Sequence, residues 1–207
     1  IVFDFEDNLW VGTLNKGIDC FNKNLQKTGN FTIKGIQKVG ENKINTLYID
    51  KKNTLWVGTA GSGLFQYDRS NNSFTPIYYE SDGIGPNEFG YVFSILETSD
   101  NKIWVGTAYR LFCLENKGNN RYSYRIFTKH NSEDSIHSNY IVSLFEDHNK
   151  NLWIGSIDYG LFQYDNDRNR FVTFGMKDGL PDNSILGITE DNEGNLWLST
   201  TNGLSRF

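Results

Sequence analysis

The sequence has no long apolar segment and few histidines, and both features limit what the protein can be. No run of about 18 apolar residues occurs, which argues against a transmembrane helix. The N-terminus lacks the basic-then-apolar order of a signal peptide, so we expect the chain to be part of a longer protein. Only three histidines are present, and none is paired at a zinc-ligand spacing, so we expect no metal site.

The sequence also has only two cysteines, Cys20 and Cys113. They occupy the same position in two copies of a repeat described below, two copies apart, whereas a disulfide needs Cα atoms within about 7 Å. We therefore predict free thiols.

No cofactor motif is evident in the sequence. The glycine-rich residues 58–63 lead into the strand-like Leu64-Phe65, whereas a phosphate-binding loop continues with Lys-Ser or Lys-Thr and a helix.

An excess of basic residues is absent as well. The formal net charge of -5 argues against a nucleic-acid-binding surface, which concentrates Lys and Arg on one face.

The composition favours strands joined by tight turns, because the chain has three prolines, twenty glycines and 15% aromatic residues, with Val, Ile, Thr, Tyr and Phe in short runs. Helices should be nearly absent.

An internal repeat organises the whole chain. A strand-like segment of the type Leu55-Trp56-Val57-Gly58-Thr59 occurs five times, and its tryptophans are 44 to 49 residues apart, a spacing typical of propeller blades. Because they recur at the equivalent position, we assign a structural role to Trp10, Trp56, Trp104, Trp153 and Trp197.

Residues around each tryptophan predict the strand order. Three residues before it stand Asp7, Asn53, Asn101, Lys150 and Gly194, mostly types that tolerate left-handed backbone and close a hairpin. Six or seven residues after it a glycine opens the next strand in four copies, and the third copy has Arg110 there. Outermost strands are predicted at 31–33, 74–77, 123–127 and 171–174. Each repeat thus predicts strands A, B, C and D of one antiparallel blade.

The predicted fold is all-β: about four and a half four-stranded β-propeller blades, belonging to a ring of about seven. Approximate blade boundaries are 1–40, 41–88, 89–137, 138–182 and 183–207, and the last blade lacks its outer strand. We expect either a fragment of a larger ring or a partial ring whose open blade edges pair with a second copy as a homodimer.

The repeats resemble one family in particular. The segments 190–207 and 146–161 are similar to the two-component regulator propeller repeat, and the likeness extends over all five blades, although blade 3 departs from it at Thr98 and Arg110. The resemblance implies the periplasmic sensor region of a membrane-anchored hybrid histidine kinase that detects oligosaccharides released from polysaccharides. It implies no catalysis and no membrane contact by this segment.

Positions where the repeats differ indicate where a ligand could bind. In propellers the B-to-C hairpins and D-to-A crossings share one face near the central channel. Sugars need aromatic planes for their C–H faces and polar groups for their hydroxyls. Residues that break the pattern on that face are our candidate ligand-binding residues, although surface tyrosines often only pack locally: Tyr91, Tyr109, Arg110, Tyr140, Asp158 and Tyr159.

Two other classes of function stay open at this point. A non-catalytic scaffold would use the propeller only for dimerisation or for docking a partner. A carbohydrate-active enzyme would need two carboxylates, or an acid with a tyrosine nucleophile, converging on the channel. Asn42, Asn139 and Asn183 stand fourteen residues before a tryptophan, and we interpret them as turn caps rather than as ligand contacts.

Overall fold

The computed structural model describes residues 1–33, 42–77, 89–118, 121–128, 136–138 and 140–207. In these ranges the only helical element is one 3₁₀ turn, Met176–Asp178, and every other regular element is a strand. None of the described helical structure is long and apolar enough to cross a membrane. The prediction of an all-β chain of propeller blades is confirmed.

The chain divides into two compact units, Ile1–Ile95 and Leu96–Phe207, with the boundary inside the strand Val92–Glu97. The first unit contains two four-stranded antiparallel sheets, each in sequence order from A to D. Blade 1 consists of β1 (Val2–Phe3), β2 (Leu9–Gly12), β3 (Ile18–Phe21) and β4 (Lys27–Phe31). Blade 2 consists of β5 (Ile44–Ile49), β6 (Leu55–Thr59), β7 (Leu64–Asp68) and β8 (Ser73–Pro76).

The remaining strands follow the same order in three further sheets, the last of which has three strands. Blade 3 consists of β9 (Val92–Glu97), β10 (Ile103–Thr107), β11 (Leu111–Asn116) and β12 (Tyr122–Phe127). Blade 4 consists of β13 (Ile141–Glu146), β14 (Leu152–Ser156), β15 (Leu161–Asp165) and β16 (Arg170–Phe174). Blade 5 consists of β17 (Ile185–Glu190), β18 (Leu196–Thr200) and β19 (Gly203–Arg206).

The outer strand of blade 1 was predicted wrongly at 31–33, since β4 ends at Phe31. The preceding turn is tighter than the sequence suggests. Asn22 Oδ1 accepts the backbone N–H groups of Asn24 and Gln26, both at 3.0 Å, and Leu25 adopts a φ of 59°. Strand D therefore starts at Lys27, through polar residues that carry no apolar strand pattern.

The hairpin between strands A and B closes as predicted. The residue three before each tryptophan has a positive φ of 61° to 84° in all five blades. Asp, Asn and Gly tolerate this left-handed conformation, whereas Lys150, with a φ of 67°, carries the steric cost of an ordinary side chain there. The left-handed residue reverses the chain directly before strand B and so fixes where each tryptophan begins.

An aspartate six residues before the tryptophan ties this hairpin to the blade core. In blades 1, 2, 4 and 5 the indole N–H donates to the aspartate Oδ2 at 2.8 to 3.0 Å. In each of these blades Oδ1 of the same side chain accepts backbone N–H groups of the turn; in blade 2 these are Lys52 and Thr54. The repeated aspartate therefore does more than start a turn, because it also orients the tryptophan ring.

Aromatic clusters fill the space between adjacent blades. In the first unit the Trp10 ring lies 5.4 Å from Phe31 of its own strand D and 5.0 Å from Tyr67 of the next blade. In the second unit Trp104 has the same relation to Phe127 and Tyr164, at 5.6 and 5.2 Å. Tilted, edge-on and stacked rings at these distances add to the stabilisation from burial alone.

The glycine two residues after the tryptophan lets neighbouring blades approach closely. A Cβ at Gly12 would lie 2.5 Å from Ile44 Cγ2 of blade 2, and a Cβ at Gly155 would lie 2.6 Å from the Ile185 carbonyl oxygen of blade 5. Both distances are far below van der Waals contact. The glycine of the Trp-Val-Gly-Thr motif is thus a packing requirement between blades.

Glutamates at the end of strand A add a second connection between blades in the second unit. Both carboxylate oxygens of Glu146 accept the Ser99 backbone N–H, at 2.9 and 2.8 Å. Glu190 accepts the backbone N–H of His148 at 2.9 Å and also contacts its ring nitrogen. Each bond joins the A–B turn of one blade to strand A of the next.

Candidate ligand-binding face

A hydroxyl side chain three residues after the tryptophan shapes every B–C hairpin. It donates to the carbonyl of the residue that opens strand C, at 2.8 to 3.0 Å. The same oxygen accepts a backbone N–H from the hairpin tip, as Ser156 does from Tyr159 at 3.0 Å. These paired bonds close each hairpin within two to three residues and present the tip side chains outward.

The glycine that opens strand C is required by both conformation and space. Gly160 has a φ of 89°, and a Cβ there would lie 2.1 Å from the Phe174 carbonyl oxygen; Gly17 meets the Phe31 carbonyl in the same way. The blade 3 hairpin, which has Arg110 at this place, is one residue shorter than that of blade 4.

The hairpins are hydrogen-bonded to the segments that enter the next blade. The Gly17 N–H donates to the Asn42 carbonyl at 3.2 Å, and the Gly160 N–H donates to the Asn183 carbonyl at 2.8 Å. The side-chain oxygens of Asn42 and Asn183 accept the backbone N–H groups of Ile33 and Met176. Their interpretation as turn caps is confirmed, whereas Asn139 lies outside the described residues.

Three of the predicted residues come together on blade 4. Asp158, at the hairpin tip, accepts a hydrogen bond from Ser138 Oγ, and Ser138 Oγ accepts the Tyr140 backbone N–H at 3.1 Å. The Ile157 N–H donates to the Tyr140 carbonyl at 3.2 Å. The hairpin with Asp158 and Tyr159 is thereby fixed against the segment that leads into strand A.

The side chains of this group form an exposed aromatic surface. Tyr140 and Tyr159 are 44% and 37% exposed. The imidazole of His137 lies 6.3 Å from the Tyr159 ring at an interplanar angle of 33°. We define His137, Ser138, Tyr140, Asp158 and Tyr159 as the blade 4 aromatic patch.

The other predicted residues lie elsewhere. Tyr109 is 57% exposed at the tip of the blade 3 hairpin, and its N–H donates to Thr107 Oγ1 at 3.2 Å. Arg110 is half-buried, and its N–H donates to the same oxygen at 2.9 Å. Tyr91, in the first unit, is 46% exposed and pairs with Ala60 in an isolated β-bridge.

Polar groups of the next crossing border the patch and were not predicted. Ser184 Oγ donates to the Ile157 carbonyl, and Asn202 Nδ2 donates to the Pro181 carbonyl at 3.2 Å. Hydrogen bonds from the Ser184 backbone N–H and the Thr201 hydroxyl lower the pKa of Asp182. His137, Ser138, Asp182 and Asn202 carry no sequence signal, because their roles depend on how hairpin and crossing approach each other.

The patch offers chemistry for recognising a polar, ring-shaped molecule. Two exposed phenol rings and an imidazole provide apolar planes, while Asp158 provides hydrogen-bond acceptors. In the part of the chain that the structure describes, no group of three His, Cys, Asp or Glu side chains could hold a metal ion. Cys20 and Cys113 are both buried and unpaired, and burial raises the pKa of the Cys113 thiol to about 12.

Comparison with known proteins identifies the repeat. The sequence profile of the two component regulator propeller matches the chain four times. The matched residues are 38–61, 88–109, 135–158 and 179–202, and each match includes one of the tryptophans from Trp56 to Trp197. Each match covers the A–B hairpin and the start of the B–C hairpin of one blade.

Individual relatives agree with this match. Histidine kinase P4 of Formosa agariphila is 25% identical over 168 residues, which cover 78% of this chain and 12% of the kinase. The extracellular domain of BT4673 from B. thetaiotaomicron, described as a hybrid two component system, is 28% identical with a TM-score of 0.74, over 97% of this chain and 25% of that domain. The chain therefore spans a quarter or less of the length of these relatives.

A third likeness concerns the fold alone. Virginiamycin B lyase from Staphylococcus aureus superposes with a TM-score of 0.72 at 16% identity, over all of this chain and 68% of the lyase. At this identity the similarity establishes a common propeller architecture and nothing about the chemistry of the lyase.

Proposed function

The chain is built from two-component regulator propeller repeats, and on this basis we propose that it is the ligand-sensing propeller of a hybrid two-component sensor histidine kinase. We place it on the periplasmic side of the membrane in a membrane-anchored receptor, because its structural relative is an extracellular domain. Regulator propellers of sensor kinases are sensing modules, so this segment would bind a signal and leave catalysis to another part of the receptor.

The ligand we propose is an oligosaccharide derived from a polysaccharide. The observation that carries this proposal is the blade 4 aromatic patch, where Tyr140 and Tyr159 are exposed and the Asp158 carboxylate is held by Ser138. A pyranose ring would stack its C–H face on a phenol and direct its hydroxyls to Asp158. The hydrogen bonds through Ser138 hold this arrangement before any ligand arrives, which reduces the entropy lost on binding.

Signalling would follow from differential affinity. A ligand shifts an equilibrium between two receptor conformations only if it binds one of them more tightly. The patch joins the blade 4 hairpin to the segment before β13 through Ser138, so a sugar that stacks across both would favour the arrangement in which they are in contact. That preference is the event we propose the receptor transmits to its kinase.

Thermal melting of the 207-residue chain against a panel of defined oligosaccharides tests this function. A ligand that binds only the native state must raise Tm saturably. We expect one sugar class to do so, and we expect the rise to disappear in the Tyr159→Ala variant. Phe5→Ala is the matched control, because Phe5 is 67% exposed at the A–B turn of blade 1 and on no B–C hairpin.

Two other outcomes would replace the proposal. The absence of any shift, in a chain shown to be folded by its cooperative melt, combined with a concentration-dependent mass in solution, would favour a dimerisation scaffold. New reducing ends after incubation with polysaccharides would favour a carbohydrate-active enzyme. A shift that persists in Tyr159→Ala would retain sensing but exclude the blade 4 aromatic patch as its site.

A further inference from the structure

Blade 3 lacks the carboxylate that binds the tryptophan in the other four blades. Thr98 stands in place of the aspartate, and its hydroxyl donates to Asp100 Oδ1 at 2.6 Å. The Trp104 indole N–H consequently has no acceptor within the described residues, although the side chain is only 3% exposed. Trp104 lines a cavity, so its unpaired donor is available there to a ligand or a water molecule.

A cavity of about 210 Å³ adjoins this orphaned donor. It lies within the second unit, between strands β10, β11 and β12 of blade 3 and the end of β15 in blade 4. The residues that line it and bear on its chemistry are Lys102, Trp104, Glu115, Arg125, Tyr164 and Asn166. A cavity of about 150 Å³ can hold a molecule the size of benzene, so this one has room for a small organic acid or a single sugar residue.

The same corner between blades 1 and 2 is occupied by a carboxylate of the protein itself. Asp4 accepts the Trp10 indole N–H and an Arg69 N–H, both at 3.0 Å, and its side chain is fully buried. Asn166 occupies in blade 4 the repeat position that Arg69 occupies in blade 2. Blade 3 thus has the tryptophan of this carboxylate site without the carboxylate.

The charges around the cavity leave one cation without a counter-ion. Lys102 pairs with Asp100 at 2.7 Å, and Glu115 pairs with Lys117 at 3.0 Å. The Arg125 guanidinium instead contacts neutral groups, the Tyr164 hydroxyl and Asn169 Oδ1, and lies 4.7 Å from the centre of the Phe127 ring. In the described parts of the chain, no carboxylate lies within ion-pair distance of Arg125.

From these observations we propose that the blade 3 cavity binds the carboxylate group of a small acid. One carboxylate oxygen accepts the Trp104 indole N–H, as the aspartates do in the other blades, and the Arg125 guanidinium balances the charge. The carboxylate can belong to a free organic acid or to an acidic sugar, since both present the same group. The proposal is independent of the sugar-sensing proposal, because it concerns another surface of the blades and other residues.

The substitution Thr98→Asp provides a direct test, because it supplies the missing carboxylate from within the chain. In blades 1 and 5 the aspartate at this position is followed two residues later by an acidic side chain, Glu6 or Glu193. Asp100 follows Thr98 at the same spacing. Because the fold accepts two acidic residues at this spacing in those blades, the variant should fold. We expect sodium acetate to raise the Tm of the natural chain by about 3 to 6 °C at about ten times its dissociation constant. We expect Thr98→Asp to be more stable without acetate and to lose the acetate-specific rise.

Sodium chloride at equal ionic strength and neutral acetamide are the control additives. Trp104→Phe keeps an aromatic ring but removes the donor, and it should also lose the acetate response. A glucuronate response at far lower concentration than acetate would identify an acidic sugar, and equal responses would identify the carboxylate alone. An equal response to chloride, or an acetate response retained in Thr98→Asp, would overturn the proposal.

Discussion

The Trp153 indole nitrogen donates to Asp147 Oδ2 at 2.8 Å, while Oδ1 of the same carboxylate accepts the Asn151 backbone N–H at 2.8 Å. One aspartate therefore holds both the turn before strand B and the largest ring of that strand. Since the ring packs 6.0 Å from Phe174 and 5.7 Å from Phe207, the carboxylate also sets the contact between blades 4 and 5.

Removal of this carboxylate should destabilise the second unit. The Asp147→Ala variant loses its hydrogen bonds to Trp153 and Asn151 and leaves a buried indole N–H without an acceptor, so we expect the free energy of unfolding to fall by about 2 to 4 kcal/mol. Urea denaturation measures this loss. Asp167→Ala, which removes an exposed aspartate, is the control and should change stability by less than about 0.5 kcal/mol.

Acid should weaken the first unit through Asp4. Burial opposes ionisation of this carboxyl, but hydrogen bonds from Trp10, Asn8 and Arg69 outweigh it and lower the pKa to about 2. The folded pKa lies below the unfolded value of about 3.9, so the ionised group stabilises the fold above about pH 4, and this contribution of about 2 kcal/mol is lost as the pH falls from about 4 to about 2.

Unfolding free energies measured across this pH range check the assignment to Asp4. The natural chain and the Asp4→Asn variant should differ least near about pH 2 and most above about pH 4, because the variant lacks the titrating group. Two curves that run parallel across this range would show that Asp4 does not titrate differently in the folded and unfolded states.

The sequence predicted the blades because the signals that define them are local. A tryptophan, the left-handed residue three before it and a glycine after it each fix one strand boundary by short-range geometry, and the structure confirms them in all five blades at the A–B turn. The outer strand of blade 1 failed because β4 is polar and exposed, so no apolar alternation marks its start.

Side-chain contacts could not be predicted in the same way. The spacing of Asp147 and Trp153 was visible, but a spacing of six does not say that a carboxylate turns toward an indole. For the candidate site, departures from the repeat pattern identified Tyr140 and Tyr159 as candidate ligand-binding residues. No sequence pattern identified Ser138, because it bonds to Asp158, which lies 20 residues away in the chain. The repeats therefore predict the strands of each blade, whereas the candidate site depends on contacts between segments that lie far apart in the sequence.

Replacement of Lys150 should stabilise the folded protein. It adopts a φ of 67°, where the other blades have Asp, Asn or Gly. Because asparagine tolerates the left-handed conformation better, we expect Lys150→Asn to raise the free energy of unfolding by about 0.5 to 1 kcal/mol. The reciprocal change, Asn101→Lys, should lower it by a similar amount. If both variants melt at the temperature of the natural chain, left-handed strain is not limiting at this turn.

A methyl group at Gly155 should separate blades 4 and 5. In the Gly155→Ala variant the new Cβ would meet the Ile185 carbonyl oxygen at 2.6 Å and Ser143 Oγ at 2.1 Å, and the carbonyl belongs to backbone that cannot rotate away. We expect a loss of about 1 to 3 kcal/mol from overpacking, measured by urea denaturation. Gly187→Ala is the matched control, because its Cβ would meet only the Ser199 hydroxyl oxygen at 2.9 Å, and a rotation of that side chain relieves the contact. Equal losses in the two variants would mean that the intrinsic cost of replacing a strand glycine dominates, whereas a loss confined to Gly155→Ala would establish that the glycine of the Trp-Ile-Gly-Ser segment is needed for the close approach of the next blade.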